Sequence, residues 1–266
     1  MDLELTGKTA IVTGGSRGIG KAVAQALARE GASVALIARD LPAAKQSAEE
    51  IAARSSRKVL AYSADTGDDA AVEAAISRIH GDFGRIDILV NAAAQPGGQS
   101  RPPKLAEITN EHFWADMNVK VMGYLRCARA VAPHMAQEHW GRIVNISGLA
   151  ARQTGSTIGT IRNVAVAALT KNLADELGPL GINVTCVHPG ITRTEKTPGV
   201  LQRQAESLGI AVEEVEKRWA GQNLIRRIVG CEEVADVVAF LASPRSIAIN
   251  GDSIAAGGGT PGAIHY

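Results

Sequence analysis

Near the amino end, Thr13-Gly14-Gly15-Ser16-Arg17-Gly18-Ile19-Gly20 combines the residue types that hold a phosphate. Glycines permit a tight turn and let backbone amides approach a pyrophosphate. A helix that starts at once adds its N-terminal N–H groups and its dipole. The run follows a short apolar β-run at 9–12 and opens an Ala-rich helical stretch at 20–30. With a second strand following, this context reads as a dinucleotide site. The second strand ends Leu36-Ile37-Ala38-Arg39. An acid here would bind the 2′-hydroxyl of NAD, but Ala38 holds the place, with Arg39 beside it and Arg17 inside the loop. Two guanidinium groups near one ribose suit a 2′-phosphate, which Arg can grip bidentately. The expected cofactor is therefore NADP(H); the plainer alternative is two solvated surface arginines.

Such a loop needs strands and helices to carry it, and they alternate along the whole chain. Apolar runs at 9–12, 33–38, 59–63, 86–91, 142–147, 182–187 and 253–256 read as strands. Helical spacing covers 20–30, 41–54, 68–83, 163–177 and 231–241, and 107–137 reads as two helices. Near-continuous apolar strands alternating with helices predict a parallel sheet covered on both faces, with right-handed crossovers. The expected fold class is α/β, a Rossmann-type doubly wound sheet in a single domain over residues 1–266. The irregular stretch 192–227 is too long for a plain connection, so it is a functional lid or a helical insertion.

Composition excludes several function classes. A net charge of +1 leaves no footprint for nucleic acid or an anionic membrane, and 3% aromatics offer few stacking platforms. No run reaches the roughly 18–20 apolar residues of a membrane span, and the start lacks a basic, then apolar, leader pattern. A cytoplasmic protein is expected. Cys127, Cys186 and Cys231 form no CxxC pair and read as reduced core residues. His112, His134 and His139 lack ligand spacing, so no structural metal is expected.

The TGxxxGxG spacing of the loop resembles that of the short-chain dehydrogenase/reductase family, and the resemblance extends over almost the whole chain. Asp65-Thr66 follows the third strand, where the family holds the adenine ring. Leu89-Val90-Asn91-Ala92-Ala93-Ala94 stands where the family has an LVNNAG-type run. Asn118 opens the stretch that resembles the one carrying the family's structural and catalytic Asn. Pro189-Gly190-Ile191 and Thr194 match a PGxxxT segment that in the family contacts nicotinamide and phosphates. The resemblance thus implies Gly14, Ser16, Arg17, Gly18, Ile19, Gly20, Arg39, Asp65, Thr66, Asn91, Ala92, Ala93, Asn163, Pro189, Gly190, Ile191 and Thr194 as cofactor contacts.

Family chemistry implies a Ser followed by a TyrxxxLys pair, in which Lys lowers the Tyr pKa by its charge. Aligned on Leu169-Thr170-Lys171-Asn172-Leu173-Ala174, the Lys position falls on Asn163 and the Tyr position on Gly159. A one-residue slip gives Val164 and Thr160. Neither register supplies the pair, and Tyr62, Tyr124 and Tyr266 lie elsewhere. The family's Ser falls on Gly148, with Ser147 one residue early; Ser147 still reaches the site if its strand stops before it. His188, ahead of the Pro189-Gly190 turn, has an ordinary pKa of about 6.5 that suits proton transfer; it is equally a satisfied loop residue. Asn163 is a neutral substitute on the ribose. Ser156, Thr157 and Thr160 are further polar neighbours, and Arg152 and Arg162 read as a solvated face.

The expected activity is an NADP(H)-dependent oxidoreductase on a carbonyl or alcohol, with non-standard proton-transfer residues drawn from Asn118, Ser147, His188 and Asn163. The alternative is an altered NADP(H)-binding pseudoenzyme, or a non-redox enzyme on the same scaffold. The resemblance also implies a small-molecule substrate and a homo-oligomer, tetramer or dimer, with contacts through residues 163–177 and 247–259.

Overall fold

The computed structural model describes residues 1–95 and 101–264. The first unit runs β1 (Thr9–Thr13), α1 (Gly18–Arg29), β2 (Ser33–Ala38), α2 (Leu41–Ser55), β3 (Val59–Ser63), α3 (Asp69–Phe83) and β4 (Ile88–Asn91). The second runs α4 (Asn110–Met117), α5 (Gly123–Gln137), β5 (Gly141–Ile146), α6 (Thr157–Leu177) and β6 (Ile182–Pro189). Then follow β7 (Thr192–Arg193), α7 (Thr197–Leu208), α8 (Val212–Ala220), β8 (Val229–Gly230), α9 (Cys231–Leu241) and β9 (Ser253–Ala256). Among the described residues, seven strands form one sheet in the order β3-β2-β1-β4-β5-β6-β9. Every pairing in it is parallel.

The sheet is parallel because each return passes through a helix. Its central strands are apolar end to end because helices cover both faces: every residue of β1, β4, β5 and β6 is buried. On one face Val23 and Leu27 of α1 and Val234 and Val238 of α9 pack on Val12, Leu36 and Val90. On the other, Ile76 and Ile79 of α3, Val131 of α5 and Leu177 of α6 pack on Ile11, Leu89 and Ile143. The strand order reverses beside β1, between it and β4. A crevice opens there at the carboxyl ends of the strands, the place where such sheets take ligands.

Three local differences from the sequence reading matter for the site. The stretch at 107–137 is two helices, but Asn118–Met122 between them is a π-helical turn, which widens the helix and shifts the face each residue presents. α6 starts at Thr157 rather than at 163, because the Ser156 side chain caps it by accepting from the Gly159 amide at 3.1 Å. The 192–227 stretch is a helical insertion: α7 and α8 share a small separate core of Leu201, Ala205 and Val215. The two-stranded pairing of β7 with β8 ties its ends together. None of the described helices is long and apolar enough to cross a membrane.

Candidate active site

The glycine loop is built by close backbone approach. Gly14 has φ +68°, and a Cβ there would lie 3.0 Å from the backbone of Ala92 and Ala93. A Cβ on Gly20 would lie 2.3 Å from the Gly14 carbonyl oxygen, so side chains are excluded at both positions. Thr13 Oγ1 accepts from the amides of Ala92 at 3.0 Å and Ala93 at 3.2 Å, which ties the end of β1 to the segment after β4. Arg17 is the extended N-cap residue of α1 and, having only donors, makes no side-chain cap, so the helix start is left open to an anion. The carboxylate of Glu195 supplies one, accepting from the Gly18 amide at 3.2 Å. Arg17 and Arg39 are exposed, and among the described residues neither is in an ion pair. Asp40, next to Arg39, also lines the cleft and caps α2, its Oδ1 accepting from the Ala43 amide at 3.1 Å.

The loop is one wall of a cleft of about 1640 Å³. Of the expected cofactor contacts, Gly14, Ser16, Arg17, Gly18, Ile19, Gly20 and Arg39 line it, as do Asp65, Thr66, Ala92 and Ala93. Asn163, Pro189, Gly190, Ile191 and Thr194 line it too, and so does Ser147. Three expected site residues do not. Asn91 is buried in β4 and donates from Nδ2 to Asn145 Oδ1 at 2.9 Å, bridging two strands. Asn118 donates from Nδ2 to the Gly67 carbonyl at 3.2 Å, because the π-helical turn points it away from the crevice. His188 is buried inside β6, its ring Nδ1 3.8 Å from Cys186 Sγ. The strand runs past 187 because His188 and Pro189 pair with Ala255 and Ala256 of β9. His188 is therefore a sheet residue and not a loop residue.

The π-helical turn delivers Lys120 instead. Lys120 is 4% exposed, and its Nζ donates to the Ser147 carbonyl oxygen at 2.9 Å and to Asn163 Oδ1 at 3.0 Å. Ser147 Oγ donates to the Asn163 carbonyl oxygen at 2.9 Å. Gly148 makes room for this cluster, since a Cβ there would lie 3.3 Å from Asn163 Nδ2. Burial, aided by the charge of Arg162, lowers the Lys120 pKa to about 7, against smaller opposing effects of Cys186 and Asp116. Tyr124, one turn on, donates its hydroxyl to the Ile146 carbonyl at 2.9 Å, and burial drives its pKa far up.

Arg162 does not lie on a solvated face. Its Nη1 contacts both carboxylate oxygens of Asp116, at 2.6 and 2.7 Å, on the cleft wall. Arg152 is tied to the Ser253 carbonyl oxygen at 3.0 Å. Thr160 donates to the Gln153 carbonyl at 3.1 Å. Sequence reasoning missed Lys120, although the signal was present: it stands at helical spacing ahead of Tyr124, Cys127 and Val131, the buried stripe of α5.

Residues 14–260 match the family described as enoyl-(acyl carrier protein) reductase. The short-chain reductase protein NovJ of Streptomyces niveus is 34% identical over 253 residues, covering 95% of this chain and 93% of that one. The chain belongs to the short-chain dehydrogenase/reductase family. Within the family, the NADPH-dependent reductase BacG of Bacillus subtilis (strain 168) is 30% identical over 256 residues, covering 95% of this chain and 97% of that one. The crystal structure of L-sorbose reductase from Gluconobacter frateurii, complexed with NADPH and L-sorbose, superposes with a TM-score of 0.93 at 27% identity, covering 99% of this chain and 100% of that one.

Proposed function

We propose that this chain is an NADP(H)-dependent oxidoreductase acting on a carbonyl or alcohol, with proton-transfer groups other than the family's Tyr and Lys. One observation carries the reading: a single cleft joins the glycine loop and two exposed arginines to a buried polar cluster at the crevice floor. The loop fits the cofactor, since its glycines leave backbone space that a Cβ would fill and α1 presents an amide that already holds a carboxylate. Gly14 to Gly20 hold the pyrophosphate, Arg17 and Arg39 the 2′-phosphate, Asp65 and Thr66 the adenine side, and Asn163 the ribose. When bound, NADPH supplies the hydride that forms the new C–H bond at the carbonyl carbon.

In this reading Gly159 and Asn163 occupy the family's Tyr and Lys positions. Asn163 keeps a hydrogen-bonding group there but no charge. The α7–α8 pair serves as the substrate lid, since Val200, Arg203, Gln204 and Trp219 face the cleft from it. The homo-oligomer contacts lie in 163–177 and 247–259, where Val164 and Ile247 are exposed. Gly159, which brings no side chain, favours the second reading of a cofactor-holding pseudoenzyme.

Calorimetry with NADPH and NADH, followed by a panel of ketones and aldehydes read by loss of NADPH absorbance, tests this function. Preferential NADPH binding with turnover is expected. Absent NADPH affinity overturns the reading, and tight binding without turnover on any substrate selects the pseudoenzyme.

A further inference from the structure

We propose that Lys120 is the proton-transfer residue of this cleft, its Nζ held by the Ser147 carbonyl and Asn163 Oδ1 while a remaining N–H meets the substrate oxygen. This rests on the oxidoreductase reading and deepens it. An ammonium has three donors, and those two bonds use two of them.

The neighbouring groups are committed elsewhere. Tyr124 spends its hydroxyl proton on Ile146, and Ser147 spends its own on Asn163. The Arg162 guanidinium is clamped by Asp116. His188 is absent from the cleft wall. Among the described residues, Lys120 is thus the titratable group that both reaches the floor of the cleft and changes charge near neutrality. A general acid–base group works best when its pKa lies near the working pH.

The arrangement also explains why a neutral Asn at 163 is tolerated. A positive charge enters from the π-helical turn instead, and Asn163 turns its amide oxygen to hold that charge. Asn163 is a positioning residue for Lys120 as well as a ribose contact.

The proton balance is simple. As the C–H bond forms at the carbonyl carbon, the carbonyl π pair moves onto oxygen and takes a proton from Nζ. One N–H bond breaks and one O–H bond forms. The neutral amine then regains a proton from water. Alcohol oxidation runs the same step backwards, with the amine as base. The charged and titratable groups facing Nζ are Asp116 of α4, Arg162 of α6 and Cys186 of β6. Reduction should weaken, and oxidation strengthen, as pH rises through about 7.

The test compares wild type with Lys120→Met in two measurements. In calorimetry, NADP⁺ binding near neutral pH is measured in buffers of different ionisation heat. Wild type should exchange a fraction of a proton on binding, whereas Lys120→Met should exchange measurably less, only what the 2′-phosphate contributes, and keep its affinity within about tenfold. In steady-state reduction, kcat should fall at least about 100-fold, KM should change little, and the inflection near neutrality should vanish. A folded Lys120→Met enzyme with kcat within threefold of wild type overturns the proposal and leaves the oxidoreductase reading standing. Equal proton exchange in the two proteins overturns it as well. Wild type that binds NADPH but reduces nothing overturns both together. Should Lys120→Met not fold, the wild-type inflection decides by itself: an amine shifts it strongly with temperature, whereas a temperature-independent inflection marks a carboxylate and overturns the proposal.

Discussion

Glu195 Oε2 lies 3.2 Å from the amide nitrogen of Gly18, at the open end of α1. A carboxylate from the segment after β7 therefore sits where the glycine loop would meet a phosphate. The two anions compete for one helix end. Glu195→Gln should tighten NADPH binding about twofold to fivefold, the range expected for one charge at a helix terminus. Calorimetry at low and high salt checks it, and the gain should shrink as salt rises.

Arg39 follows β2, is exposed, and has no carboxylate partner among the described residues; the neighbouring Asp40 carboxylate accepts from the Ala43 amide as a helix cap. Arg39→Ala should weaken NADPH about tenfold to hundredfold, the loss expected for a charge-assisted hydrogen bond. NADH affinity should change less than twofold. An equal loss for both cofactors would place Arg39 away from the 2′-phosphate.

Asp116 and Arg162 form a pair on the cleft wall, with side chains 18% and 15% exposed. Asp116→Asn leaves the guanidinium half-desolvated and unpaired. The partial exposure reduces the penalty of a fully buried pair to about 1–3 kcal/mol, read from the urea midpoint at constant slope. Because Asp116 also raises the Lys120 pKa, the same variant should move any Lys120-linked inflection to lower pH.

Lys120 also links stability to pH. Its folded pKa, about 7, lies below the unfolded value of about 10.4. Between those values the unfolded chain binds more protons, so stability rises with pH. The buried thiols act oppositely at higher pH, since burial lifts Cys127 and Cys231 to about 12. The rise should therefore stand out between about pH 7 and 8.5, and Lys120→Met should abolish it. Denaturant unfolding of both proteins across that window checks the sign.

Much of the fold was legible in sequence because the strands carry continuous apolar runs and several helices, α3, α6 and α7 among them, end at Gly. The glycine loop was legible for the same reason: its residue types are required by backbone geometry. The cluster at the cleft floor was legible only in the helical spacing of Lys120 with the buried stripe of α5. A π-helical turn leaves no mark in apolar periodicity, yet it turns Asn118 outward to Gly67 and Lys120 inward to Asn163. His188 was misplaced because the pairing of β9 with β6 is non-local, and only that pairing extends the strand past Val187. Gly159 hid the start of α6, although Ser156 supplies the cap.

The α7–α8 pair holds itself together with Leu201, Ala205 and Val215, apart from the packing on the sheet. Its cleft-facing side chains, Val200, Arg203 and Gln204 among them, lie outside the apolar clusters that pack on the sheet. If the pair is the proposed substrate lid, selectivity and foldability are separable here. The chain can acquire new preferences by altering one small helical appendage while the nucleotide frame keeps its thermodynamic footing.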